Sequence, residues 1–174
     1  MHLFLDFDGP LIPDRVRIHL SNTRYPGKLK PNCKCDYWEF DPVAVSMLNN
    51  LQYIAKFKTV VSSTWRGFCS KEYIQELFLE NGLFLDLADD WKTKEWFNSS
   101  RGLEIEEYIQ RNNIGKYVIL DDRESGGCIE FIDSIDKSRL FYVDMDSGIS
   151  SRTYQNIKQM VSEWSGKTYI PPLW

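Results

Sequence analysis

Three short apolar runs, each closed by polar residues, set the terms on which this chain can fold. They read "LFLDFD" at 3–8, "KTVVSS" at 58–63 and "KYVILDD" at 116–122. Runs this short and this apolar read as strands buried on both faces. Charge is costly inside a core, so Asp6, Asp8, Asp121 and Asp122 belong where strands emerge from it. The segments between the runs carry helical periods. Strands alternating with helices predict an α/β fold: a three-layer, Rossmann-like, mostly parallel sheet with helices on both faces.

The helices announce themselves by caps and stripes. In "FDPVAVSMLNNLQYIAKF", Asp41 can cap and Pro42 fits the first turn, with Ala44, Met47, Leu48, Leu51 and Ile54 along one face. "SKEYIQELFLENG" is predicted to start at Ser70 and stop at Gly82, and "LEIEEYIQRN" to set Ile105, Tyr108 and Ile109 on one side. A last helix over about 151–164 aligns Tyr154, Ile157, Val161 and Trp164. "LFLDLA" and "RLFYVD" add two strands, and "DSGISSRTY" reads as a turn and helix cap. Residues 14–40 show no clear period and are predicted to be a long loop or small irregular insertion. The apolar tail "TYIPPLW" is expected to pack back on the domain. No repeat or linker divides the chain, so residues 1–174 read as one domain.

Length and charge narrow the classes. A chain of 174 residues suits one domain, and a net charge of −4 argues against a generic polyanion coat. No apolar stretch approaches the roughly 20 residues of a membrane helix. The N-terminus lacks the basic segment and cleavage site of a secretory signal, so a cytoplasmic location is expected. Cys33, Cys35, Cys69 and Cys128 lack the C-x-x-C spacing of common zinc sites. They read as reduced thiols, although His19 lies near the C-x-C pair.

In a parallel sheet, ligands bind beyond the carboxyl ends of the strands. If the three acid- or serine-ended strands are neighbours, Asp6, Ser62, Ser63, Asp121 and Asp122 converge there. Side chains alternate along a strand, so Asp6 and Asp8 start on one side, and Gly9 lets the chain turn after them. Crowded carboxylates repel, and a hard divalent cation relieves the repulsion. A small set of oxygen ligands favours Mg²⁺, completed by water and a substrate phosphate. Serines at a strand end offer donors to phosphate oxygens, so the residue set fits phosphoryl transfer.

The order hydrophobic-strand-D-x-D-G, hydrophobic-strand-S-S, a basic residue, then hydrophobic-strand-D-D resembles the haloacid dehalogenase (HAD) superfamily of phosphatases, from Leu3 to about Asp146. "VVSSTWRG", "RGLEIEEYI", "YVILDDRES" and "VDMDSGIS" look more narrowly like the small HAD domains of RNA-repair and phage-type proteins. The resemblance implies that Asp6 is the nucleophile and forms an aspartyl-phosphate. It implies that Asp8 is the general acid and base, its backbone carbonyl also serving the metal. Ser62, with Ser63, would bind the phosphoryl group, and Asp121 with Asp122 would complete a Mg²⁺ site with Asp6 and Asp8. The family's cation is usually a lysine; here Arg101 is favoured at a helix start, with Lys94 second and Lys92 also in the interval. Arg66 is a further phosphate-binding candidate. Pro10 departs from the usual residue after D-x-D-G.

The intervals leave no room for a large cap, so an open site is expected. The implied function is a Mg²⁺-dependent phosphomonoesterase acting on a phosphorylated small molecule, a nucleotide or a DNA/RNA terminal phosphate. The alternative is a non-catalytic domain that holds a phosphorylated ligand or protein partner in the same cleft. Trp65, Trp91, Trp96 and Trp164 are expected to pack rather than stack on bases, with stacking more plausible at Tyr37 and Trp38. Arg15, Arg17, Arg24, Lys28, Lys30 and Lys34 read either as a solvated loop or as a nucleic-acid contact.

Overall fold

A computed structural model describes residues 1–23, 39–94, 100–123 and 129–167. Five parallel strands run β1 (His2–Leu5), β2 (Lys58–Val61), β3 (Asp86–Lys92), β4 (Tyr117–Asp122) and β5 (Leu140–Val143), in the spatial order β3-β2-β1-β4-β5. β1 therefore lies at the centre, with β2 and β4 on either side. The helices are α1 (Asp14–Thr23), α2 (Pro42–Ala55), α3 (Lys71–Glu80), α4 (Arg101–Arg111) and α5 (Ser151–Ser165). No large cap domain stands among the described residues.

Alternation along the strands sorts the core into two halves. Leu3, Leu5, Val61, Val118 and Leu120 face a cluster with Leu48 and Leu51 of α2, Ile74, Leu77 and Phe78 of α3, and Ile157 and Val161 of α5. Phe4, Val60 and Ile119 face the other way, onto Ile105 and Tyr108 of α4 and Ile129. Helices thus cover both faces, as the alternating pattern required. The caps fall where the sequence put them. Asp41 accepts from the Val43 N–H, Ser70 from Tyr73 and Ser150 from Thr153.

Two expectations shift. Residues 14–40 do not begin as a loop, because Asp14–Thr23 is helical. Only Leu20 of that helix is buried, so there was no apolar stripe to read. Ion pairs do the anchoring: Arg15 binds Asp41 and donates from Nε to the Ser147 carbonyl at 3.1 Å, and Arg17 binds Asp8. The strand expected at "LFLDLA" starts three residues late and runs longer, over Asp86–Lys92. Gly82, at φ +67°, and the Leu83 N–H bonded to the Phe78 carbonyl at 2.8 Å close α3, so Leu83–Leu85 only carry the chain across to the sheet. Arg24, Lys28, Lys30, Lys34, Tyr37, Trp38, Trp96, Cys33, Cys35, Cys128 and the tail from Thr168 lie outside the described residues. Among the described residues, no helix is long and apolar enough to cross a membrane.

Candidate active site

Register alone assembles the site. Leu5 pairs with Val61 on one side and Leu120 on the other. The ladder continues one step further: the Asp6 N–H bonds the Leu120 carbonyl and the Ser62 N–H bonds the Leu5 carbonyl, each at 3.0 Å. Asp6, Ser62 and Asp121 therefore leave three adjacent strands at the same level. One carboxylate oxygen from each of Asp6, Asp121 and Asp122 lies within 4.8 Å of the others, and all three residues are buried.

Arg101, the first residue of α4, reaches into this group. Its Nη1 lies 2.9 Å from Asp6 Oδ2 and donates to both Asp121 oxygens at 3.0 Å. Burial raises the Asp6 carboxyl from 3.8 to about 6, against the opposing pull of Arg101 and a hydrogen bond from Ser63. Asp121 is also raised well above the ordinary value, by burial first and then by Asp6. Burial works against the charge on Arg101, but Asp6 and Asp121 carry its pKa above the ordinary value. Burial and mutual repulsion disfavour the ionised forms of Asp6 and Asp121, which a bound cation would relieve, and all the acid ligands are oxygen. That donor set fits a hard divalent cation better than a second protein cation. The alternative Lys94 sits half-exposed, its Nζ 3.5 Å from Glu107 Oε1.

Gly9 makes the assembly possible. Its φ is +82°, and a Cβ there would come 3.1 Å from Asp122 Cβ and 3.2 Å from Val143 Cγ2. Only a glycine combines that backbone conformation with so close an approach. Pro10 follows in a turn that bonds the Leu11 and Ile12 N–H groups to the Phe7 carbonyl, each at 2.9 Å, so it spends no main-chain donor the turn needs.

Asp8 stands apart from the three-acid group. It is half-buried, and its Oδ2 accepts from the indole Nε1 of Trp65 at 3.3 Å while Oδ1 accepts from Arg17. Trp65 packs as expected, 5.3 Å from the Phe7 ring, but its nitrogen also orients an acid. Neither partner is legible from sequence: an indole reads as packing, and Arg17 reads as one of many loop cations.

The loop after β2 is braced from behind. Ser63 caps a single turn of 3₁₀ helix over Thr64–Gly67. The Ser62 Oγ is buried with no hydrogen-bond partner, as is Thr93 Oγ1. The Thr93 N–H extends the pairing by bonding the Val61 carbonyl at 3.1 Å. A buried hydroxyl without a partner is costly, and that of Ser62 lies at the strand end beside Asp6. Arg66 donates to the carbonyls of Ser62 at 2.8 Å and Ser63 at 2.6 Å and pairs with Glu104 of α4. These donors brace the serine loop against α4. Glu104 was missed, although its spacing of i+3 from Arg101 and i−4 from Tyr108 puts it on the buried face of α4. Removing one member of a buried pair strands the other, so Glu104→Ala is expected to cost about 3–5 kcal/mol. The shift of the urea midpoint measures it.

A family model described as "HAD domain in Swiss Army Knife RNA repair proteins" matches residues 2–153. No curated protein and no solved structure matches the chain.

Proposed function

The chain belongs to the HAD domains of Swiss Army Knife RNA repair proteins, and from this premise we propose that it is a Mg²⁺-dependent phosphomonoesterase acting on a nucleotide or a DNA/RNA terminal phosphate. The observation that carries the reading is the buried Asp6 carboxyl, held against Arg101 and beside Asp121 and Asp122 at the ends of adjoining strands. Asp6 Oδ attacks phosphorus, the ester P–O bond breaks, and the phosphoryl group passes to Asp6 as an aspartyl-phosphate. The leaving oxygen takes a proton from the Asp8 carboxyl. Asp8, now ionised, takes a proton from water, whose oxygen attacks phosphorus and returns Asp6 and inorganic phosphate. Arg101 opposes the effect of burial on Asp6 and so favours the ionised form that attacks.

Arg101 offers positive charge where the phosphoryl group would carry negative charge, and the Ser62 hydroxyl a donor with no competing partner. Asp6, Asp121, Asp122 and the Asp8 main-chain carbonyl would hold Mg²⁺, which when bound neutralises carboxylate and phosphoryl charge. The test is phosphate release from an aryl phosphate, mononucleotides and 3′- and 5′-phosphorylated oligonucleotides, with Mg²⁺ and with a chelator. Mg²⁺-dependent release on at least one is expected. Binding without release across the whole panel would replace this reading with that of a non-catalytic phosphate-binding domain.

A further inference from the structure

In the proposed reaction Asp8 must carry a proton, yet both of its oxygens are already engaged, by Arg17 and by Trp65. Each donor competes with the leaving group for the oxygen it holds, so an oxygen that loses its donor is freer to face that group. Trp65 is poorly placed to give way. It is 4% exposed and wedged between the Phe7 and Phe68 rings at 5.3 and 6.0 Å. Arg17 differs, because its side chain is 37% exposed. The helix under it is fixed: the Asp14 N–H bonds the Met145 carbonyl at 2.9 Å and the Arg15 N–H bonds the Asp146 carbonyl at 3.2 Å. The movable part is therefore the guanidinium.

That guanidinium is incompletely used. One Nη pairs with Asp8 and the other reaches Asp14 Oδ1 at 3.3 Å, while Nε is buried with no hydrogen-bond partner among the described residues. A planar fork with a spare donor suits a tetrahedral anion. In the proposed reaction Ser62 and Arg101, both buried, take the scissile phosphoryl group. Arg17 sits with Asp8, nearer solvent, where the next phosphate of a substrate would lie.

We propose that Arg17 is a specificity-determining residue that reads a second phosphate on the substrate and, in turning to it, releases Asp8. This rests on the phosphatase reading above. The second phosphate is either the phosphodiester next to a nucleic-acid end or the other phosphate of a nucleoside bisphosphate. A substrate with one phosphate leaves Arg17 on Asp8 and turns over slowly.

The test compares wild type with Arg17→Ala on adenosine 3′- and 5′-monophosphates, adenosine 3′,5′-bisphosphate and an RNA trimer phosphorylated at either end. Wild type is expected to favour the bisphosphate or the trimer by at least tenfold in kcat/KM, with the gain in kcat. Arg17→Ala is expected to bring that ratio near one. Preference for the trimer alone assigns the phosphodiester, and equal preference assigns any second phosphate. A wild-type ratio near one, or a ratio unchanged in the variant, overturns the proposal. Calorimetric binding of the same ligands, in the presence of Mg²⁺, separates it from the reading it rests on. Loss of turnover on every ligand, with bisphosphate binding still Arg17-dependent, would sink the phosphatase reading and leave Arg17 as a phosphate reader. Binding that ignores both Arg17 and the second phosphate would overturn the latter as well.

Discussion

Asp6→Asn is expected to lower phosphate release by a factor on the order of 10⁴ or more, the scale seen when a covalent nucleophile is removed. An amide in that position cannot form the acyl phosphate, whereas the side chain keeps its shape and its place against Arg101. The same substitution is expected to stabilise the metal-free protein at neutral pH. The Asp6 carboxyl is raised in the fold from 3.8 to about 6. Its contribution to stability is therefore fully present below the unfolded value and is lost as pH rises through the folded one. Above about pH 6 the folded protein holds a buried charge that the asparagine does not have.

A shift of this size corresponds to at most about 3 kcal/mol. Urea unfolding in chelator at pH 7.5 and at pH 4 is expected to show a more stable variant at the higher pH and little difference at the lower. Added Mg²⁺ is expected to raise the midpoint of the wild type and to move the variant less. A variant less stable than wild type in chelator at pH 7.5 would mean that Asp6 is well compensated without a cation. The fold would then carry no excess charge for a metal to relieve.

The parts of the site that could be read in advance are those fixed by strand register. Asp6, Ser62 and Asp121 each follow an apolar run directly, and parallel pairing leaves no freedom about where such residues emerge. Arg101 was legible for a related reason, since a cation at a helix start beyond the sheet has few places to go. The residues that escaped are those whose role depends on a partner distant in sequence. Arg17 and Trp65 meet at Asp8 from opposite sides of the motif, and neither belongs to a pattern. The same holds for α1, which is secured by Arg15 and Arg17 rather than by an apolar face.

Arg101→Ala is expected to reduce activity by about 10²–10³-fold, the effect of deleting one preorganised group that stabilises developing charge, and to destabilise the fold by about 3–5 kcal/mol. Asp6 and Asp121 would be left buried and facing one another without the guanidinium between them. The activity loss has a signature that lost stability alone lacks. Arg101 holds the Asp6 carboxyl down against burial, so its removal pushes that pKa higher. The nucleophile must be ionised, and the acid limb of the pH–rate profile is therefore expected to move to higher pH in Arg101→Ala. Arg101→Lys keeps the charge but not the planar guanidinium whose Nη1 meets both Asp6 and Asp121, so its rate is expected to fall between the two with a smaller displacement of the limb. A profile that drops in height without moving would show that Arg101 supports the fold of this corner and leaves the charge of Asp6 to other groups.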